Sequence, residues 1–320
     1  MRRKELEFSA DLDSFNINNG DFDCKQLNYE DLKTIKNLGC GAYGSVNLVK
    51  HTKSGKLFAV KRMTMALYKE GRDRSLMEIQ VASDSRDCPF TVNFLGYLNL
   101  NGELWMFMES MDMSLNELKG NILNNTAEYF IPEEIIGNIS FQITSGLYYL
   151  LNDLSILHRD VKPSNILIKN SGRVKICDFG ISCKVKSDEF QSSYNVGTMS
   201  YMAPERLQSD SLSQKSDIWS LGITVLEFTT GKFPYRKWSN IFEALNDLCN
   251  QPTPALPPKK YSAEFNEYLN STLNREADKR KDYINLLKMN FLVKNKEYKI
   301  TEFLQIFIQT TQDGEDPNFL

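Results

Sequence analysis

Histidine is scarce in this 320-residue chain, with only two, and the six cysteines contain no C-x-x-C pair. A zinc site on the usual Cys/His spacings is therefore excluded. Cys24, Cys40, Cys88, Cys177, Cys183 and Cys249 read as scattered reduced thiols of an intracellular protein. No stretch approaches the ~18 uninterrupted apolar residues of a membrane span. The opening MRRKELEFSADLD turns acidic before the apolar core of a secretory signal could form. Charge of one sign is lacking too: 38 basic against 41 acidic residues give a net −3, which offers nucleic acid or anionic lipid little to hold. What remains is an ordinary globular composition, 41% hydrophobic and 25% charged, in a chain long enough for one large domain or two modest ones. The expectation is a soluble protein of the cytoplasm, with the nucleus as a second location, that binds no nucleic acid and inserts into no membrane.

Pattern changes along the chain. Residues 1–28 are polar and irregular and read as a loose arm. From 29 to 109, VNLVKHT, KLFAVKRM and ELWMFMES alternate or carry β-branched runs around turns such as Lys53-Ser54-Gly55, which predicts strands. One segment among them, RSLMEIQVASDS, predicts a helix. From 110 to 310 the helical period takes over in PEEIIGNISFQITSGLYYLLNDL, SDIWSLGITVLEFTTG and SNIFEALNDLCNQ. Pro132 with Glu133 and Glu134 suits a helix start, where unpaired amides favour negative charge. The fold class read from this is α+β: a small β-rich lobe, residues 29–109, then a larger α-rich lobe, residues 110–310, with a tail at 311–320. The boundary falls near Glu109 to Met111.

Gly39-x-Gly41-x-x-Gly44-x-Val46 is weak alone, because such a run can be a dinucleotide turn or a plain hairpin. A dinucleotide fold wants a helix at the third glycine, whereas here the glycines lead into SVNLVKH and then Phe58-Ala59-Val60-Lys61. Lys61 is either a solvated edge charge or a cation for the phosphates of a nucleotide beneath the glycines. Glu78, in the helical stretch, can hold its ammonium, or the two form a surface salt bridge of little consequence. HRDVKPSN, residues 158–165, is far more specific. Asp160 can accept a hydroxyl proton, Lys162 can neutralise a transferring phosphoryl, and Asn165 offers magnesium a carbonyl oxygen. His158 reads as structural support. Asp178-Phe179-Gly180 supplies a second metal ligand in Asp178, and Ala203-Pro204-Glu205 follows.

In this order and at these spacings, the set resembles the protein kinase signature, over residues 30 to 300. The resemblance implies a bilobal kinase fold using ATP and Mg2+. It implies that Gly39, Gly41, Gly44, Val46, Ala59 and Lys61 contact the nucleotide. The backbone of Glu109 and Met111 would bind adenine, with Met108 behind it. Asp217, Trp219 and Gly222 would anchor the large lobe, and Glu205 would pair with Arg280. Lys162 implies a serine/threonine-type catalytic loop. The stretches DCPFTVNFLG, IPEEIIGNI, ILHRDVKPSNILI, VKICDFGIS, YMAPERL and KSDIWSLGIT look like the dual-specificity MAP kinase kinases, and DLDSFNI, CPFTV and YSAEFNEYL are most similar to their stress-activated branch. The partners so implied are a downstream MAP kinase, phosphorylated on Thr and Tyr, and an upstream MAP kinase kinase kinase. Cys183, Thr198 and Lys281 depart from the family's pattern outside the catalytic set. A scaffold without turnover, or a kinase for other substrates, is the alternative.

Between Asp178 and Glu205, the branch carries two phosphorylatable hydroxyls four residues apart. Here the first place holds Glu189 or Asp188 and the second Ser193 or Ser192, depending on the end from which one counts. The expectation is a switch half set by a fixed carboxylate and completed by phosphorylation of Ser193, or alternatively Ser192. Arg2-Arg3-Lys4 ahead of Leu6-x-Phe8 resembles a docking peptide for a MAP kinase, with a frayed terminus as the alternative. Ile300, Phe303, Leu304, Phe307 and Ile308 form a helical stripe that reads as packing onto the large lobe.

Overall fold

The computed structural model describes residues 18–19, 22–23, 29–41, 44–64, 69–100, 103–184, 197–208 and 213–308. The chain divides into two compact units, Met1–Met111 and Asp112–Leu320.

Within the segment expected as an arm, β1 (Asn18–Asn19) pairs antiparallel with β2 (Phe22–Asp23). A five-stranded antiparallel sheet dominates the first unit, built from β3 (Leu32–Gly41), β4 (Gly44–His51), β5 (Leu57–Thr64), β6 (Phe94–Leu100) and β7 (Glu103–Glu109). The strand order is β3-β4-β5-β7-β6. Helix α1 (Lys69–Asp84) lies between β5 and β6 in sequence. Val49, Phe58, Val60, Trp105 and Phe107 cluster as a core, with Phe58 and Phe107 edge to face at 6.3 Å. Because side chains alternate along a strand, Lys61, next to Val60, belongs to the opposite face. The ladder aligns Val46, Lys61 and Met106 in one row and Leu48, Ala59 and Met108 in the next row of that face.

The second unit opens with β8 (Met113–Ser114) and α2 (Leu115–Asn125). Ser114 and Glu117 form a reciprocal capping box at the start of α2, which satisfies two amides that the first turn leaves unpaired. Then come α3 (Glu133–Asn152), β9 (Ile156–Leu157), β10 (Ile166–Ile168), β11 (Val174–Ile176) and β12 (Cys183–Lys184). The helices α4 (Pro204–Gln208), α5 (Gln214–Thr230), α6 (Ile241–Asn250), α7 (Ala263–Thr272), α8 (Tyr283–Leu286), α9 (Asn290–Asn295) and α10 (Thr301–Ile308) complete it. Helix α5 is buried along nearly its whole length, so it runs through the core rather than over it. Gly222 makes this possible: a Cβ there would sit 2.4 Å from Thr272 Oγ1 on α7. Two small sheets, β11-β10-β8 and β12-β9, clamp the loops on either side of residues 158–165 and 177–182. In α10, Leu304, Phe307 and Ile308 are buried with Ile300 and join the core, so the stripe packs onto this unit. Among the described residues, no helix is long and apolar enough to cross a membrane, and Cys40, Cys88, Cys177, Cys183 and Cys249 are free thiols.

Candidate active site

In the first unit, Lys61 Nζ lies 2.5 Å from Glu78 Oε1, so β5 and α1 are joined by an ion pair. Both side chains are largely buried, unlike the exposed pairs that contribute little. The ammonium is thereby held on the sheet face that also carries Val46, Ala59 and Met108. Gly39 pairs with Val46 in the ladder, and Gly41 with Gly44. Gly44 has φ +148°, and a Cβ on it would meet the Arg62 carbonyl oxygen at 1.9 Å, so only glycine fits. The Glu109 N–H donates to the Asn93 carbonyl at 3.0 Å, and the Glu109 carboxylate accepts from the Asn93 N–H at 2.7 Å.

In the second unit, the signature residues gather around one carboxylate. Asp160 Oδ2 accepts from Lys162 Nζ at 2.6 Å and from Asn165 Nδ2 at 3.0 Å, while Oδ1 accepts from the Thr198 N–H at 3.0 Å. Lys162 Nζ also donates to Thr198 Oγ1 at 2.7 Å. Burial pushes the Asp160 carboxyl up, but Lys162 and Thr198 together outweigh it and hold the group below the usual carboxylate range. Asp160 therefore stays ionised and can receive a proton. Asn165 spends its amide hydrogens on Asp160, which leaves its side-chain carbonyl as the oxygen to present to a metal. The Asn165 backbone carbonyl accepts from the Cys177 N–H at 3.0 Å, which fixes the residue before Asp178. Asn165 and Asp178 form an all-oxygen donor pair with a single carboxylate. This fits magnesium, a hard cation that completes its shell with water and phosphate oxygens. Among the described residues, no group of three or more His, Cys, Asp or Glu could hold a metal by itself.

Asp217, at the start of α5, accepts from the His158 and Arg159 N–H groups at 2.8 and 2.9 Å. Burial raises its pKa against these bonds. The bonds hold Arg159 at φ +72°, and Asp178 stands at φ +66°. Such left-handed conformations cost about 1–3 kcal/mol for residues with side chains and concentrate at functional sites. His158 Nδ1 accepts from the Asp160 N–H at 3.3 Å, so Nε2 carries the hydrogen toward the Cys177 carbonyl at 3.0 Å. With its ring edge to face on Phe179 at 5.7 Å, His158 braces two loops. Glu205 and Arg280 form a two-pronged pair at 2.7 and 2.8 Å, with the guanidinium 5.1 Å from the Trp219 ring.

Sequence reasoning missed Ser220 and Glu227 on α5, which bond the backbone carbonyl and hydroxyl of Tyr201. Ser192, Ser193, Asp188, Glu189, the basic cluster at 2–8 and the tail at 311–320 lie outside the described residues.

A model of the family described as "protein kinase domain" matches residues 32–292. The chain is 33% identical over 287 residues to the dual specificity mitogen-activated protein kinase kinase sek-1 of Caenorhabditis elegans, covering 88% of this chain and 84% of that protein. It is 35% and 34% identical over 283 residues to the dual specificity mitogen-activated protein kinase kinase 7 of Mus musculus and of Rattus norvegicus. Each match covers 87% of this chain, which spans 51% of the mouse protein and 65% of the rat protein. The catalytic geometry and these likenesses agree: the chain is an ATP-dependent protein kinase and belongs to the dual-specificity MAP kinase kinases.

Proposed function

We propose that the chain transfers the γ-phosphate of ATP to both the threonine and the tyrosine of a MAP kinase activation loop, in the stress-activated branch. The observation that carries the reading is the geometry at Asp160, whose carboxyl is bonded at once by Lys162, Asn165 and Thr198. In this mechanism Asp160 orients the acceptor hydroxyl and takes its proton, and Lys162, 2.6 Å away, steadies charge at the moving phosphoryl. Lys61, held by Glu78, orients the α- and β-phosphates. Gly39, Gly41 and Gly44 let the backbone approach the phosphates, and Val46, Ala59 and Met108 contact adenine from the sheet face. The Glu109 carbonyl and Met111 N–H bond its edge. Asn165 and Asp178 would hold magnesium, which when bound neutralises phosphate charge. Asp217 keeps the loop in register through the His158 and Arg159 amides.

An upstream MAP kinase kinase kinase would complete the switch at Ser193 or Ser192, where a phosphate adds about −1.5 to −2 charge beside the fixed carboxylate of Asp188 or Glu189. Residues 2–8 would grip the MAP kinase, in the cytoplasm and in part the nucleus. Incubation with a panel of inactive MAP kinases, scoring phosphothreonine and phosphotyrosine, tests the reading. Both marks on one activation loop are expected, and threonine alone would reduce the chain to a single-specificity kinase. Full activation of the Ser192→Ala, Ser193→Ala double variant by an upstream kinase would remove the proposed switch.

A further inference from the structure

We propose that Gln142 is a positioning residue for the magnesium ligands, acting through the hairpin of β10 and β11 that carries them. The proposal rests on the function above and adds a residue to it. Asn165 immediately precedes β10, and Asp178 follows β11 after Cys177. The two candidate ligands therefore stand at the open end of one hairpin, where the Cys177 N–H donates to the Asn165 carbonyl at 3.0 Å.

This hairpin is too short to fix its own geometry. Its ladder has three pairs, Ile166 with Ile176, Leu167 with Lys175 and Ile168 with Val174, and two short strands alone are marginal in water. Strand β8 supports β10 only, so β11, which leads to Asp178, is the edge of its sheet. Gln142, midway along α3, covers that edge. Its Oε1 accepts from the Val174 N–H at 2.9 Å, and its Nε2 donates to the Gly172 carbonyl at 3.0 Å and to Asn138 Oδ1 at 2.7 Å. With one donor and two acceptors around it, the amide has a single workable orientation. Asn138, one turn earlier on α3, donates in turn to the Lys296 carbonyl at 2.8 Å. Asp112 Oδ2 accepts from the Asn170 N–H at 2.6 Å and so secures the β10 arm of the turn, while Gln142 secures the β11 arm.

Asp178 is the residue that most needs such a clamp. It stands at φ +66°, and a side-chain-bearing residue keeps that conformation only where its surroundings over-determine it. From Val174 to Cys177 the strand spans about 10 Å, so a tilt at the turn displaces the other end by a similar amount. Without Gln142, the Val174 N–H and the Gly172 carbonyl lose their partner, β11 pivots on β10, and Asp178 relaxes. Asp160 keeps its bonds to Lys162 and Thr198, so binding of the protein acceptor is spared.

The test is Mn2+ binding to the full chain with a non-hydrolysable ATP analogue, followed by electron paramagnetic resonance, with melting temperature recorded for each variant. No protein acceptor is needed, so the result is independent of which substrate the kinase takes. Gln142→Met removes all three bonds at similar volume, and Gln142→Glu keeps only the acceptor for Val174. Ser262→Ala removes the N-cap of α7, a comparable loss of stability away from the hairpin. Partners bonded directly to metal ligands are worth about 10- to 100-fold in affinity, and Gln142 acts one strand further out. Mn2+ affinity is expected to fall about five-fold in Gln142→Met and about two- to three-fold in Gln142→Glu, and to stay at the wild-type value in Ser262→Ala. Wild-type affinity in Gln142→Met, or a loss in Ser262→Ala that follows its melting temperature, would overturn the proposal. Should Gln142→Met not fold, Gln142→Glu decides: a loss beyond that of Ser262→Ala supports the clamp, and none overturns it. A wild-type chain that binds no Mn2+ beside the nucleotide would remove Asn165 and Asp178 as metal ligands, and the clamp with them.

Discussion

Glu205→Ala should cost this kinase more stability than its exposure suggests. The Arg280 side chain is 0% exposed, and it spends two donors on Glu205, at 2.7 and 2.8 Å. Its other bonds run to the carbonyls of Asn274, Lys215 and Arg275. Removing Glu205 leaves a guanidinium with no access to water and no counter-charge, a change that costs about 3–5 kcal/mol. At about 2–4 °C per kcal/mol for a lobe of this size, the melting temperature should fall by ~6–20 °C. Tryptophan fluorescence is a suitable assay, because Trp219 lies under the guanidinium. The Glu205→Leu, Arg280→Met double variant supplies the control, since replacing both partners removes the stranded charge. Its loss should be smaller than the sum of the two single losses by ~1.5 kcal/mol or more. Losses that add, or a Glu205→Ala cost under ~1 kcal/mol, would refute the reasoning.

The acid limb of kcat should lie below the ordinary carboxylate range, because Asp160 is held low by Lys162 and Thr198. The carboxylate is the active form, so activity falls as pH drops through that lowered value. The stability Asp160 contributes is full above the ordinary value and is lost over the same descent. Thr198→Val removes one hydroxyl bond and should move the limb upward, and a kcat–pH profile with no upward shift would contradict this. Gly44→Ala forces a Cβ against the Arg62 carbonyl, at a strain of about 1–3 kcal/mol. ATP affinity, measured by titration, should weaken about ten-fold, and an unchanged affinity would remove this turn from nucleotide binding.

The catalytic loop was legible because its chemistry is local. Asp160, Lys162 and Asn165 lie within six residues, and hydrogen bonds among them need no distant partner. Helices α3 and α5 were legible from their apolar period, and Glu78 was legible as a candidate partner of Lys61 from its place in a helical stretch, with a surface salt bridge as the alternative; burial of both side chains decides between the two. The contacts of Lys119 with Glu227, and of Tyr201 with Glu227, were not legible. They join residues 108 and 26 positions apart, whose types look like solvated surface until packing buries them. The start of α2 carried a readable signal in Ser114 and Glu117, the spacing of a capping box, yet the helix went unnamed because its apolar stripe is short. Cys183 looked like a departure from the family pattern. It is a buried residue paired with Leu157 across β12 and β9, where a small apolar side chain suffices.

Everything proposed for the chemistry depends on Asp160 receiving the acceptor's proton. The most direct measurement is single-turnover phosphoryl transfer by Asp160→Asn beside wild type, with melting temperature recorded for both. Asparagine keeps the size but has a single acceptor oxygen, so it can accept on the Lys162 side or from the Thr198 amide but not both, and it cannot take a proton. The account predicts a rate lower by about 10²–10⁴ with the fold intact. Transfer within a few-fold of wild type would contradict it.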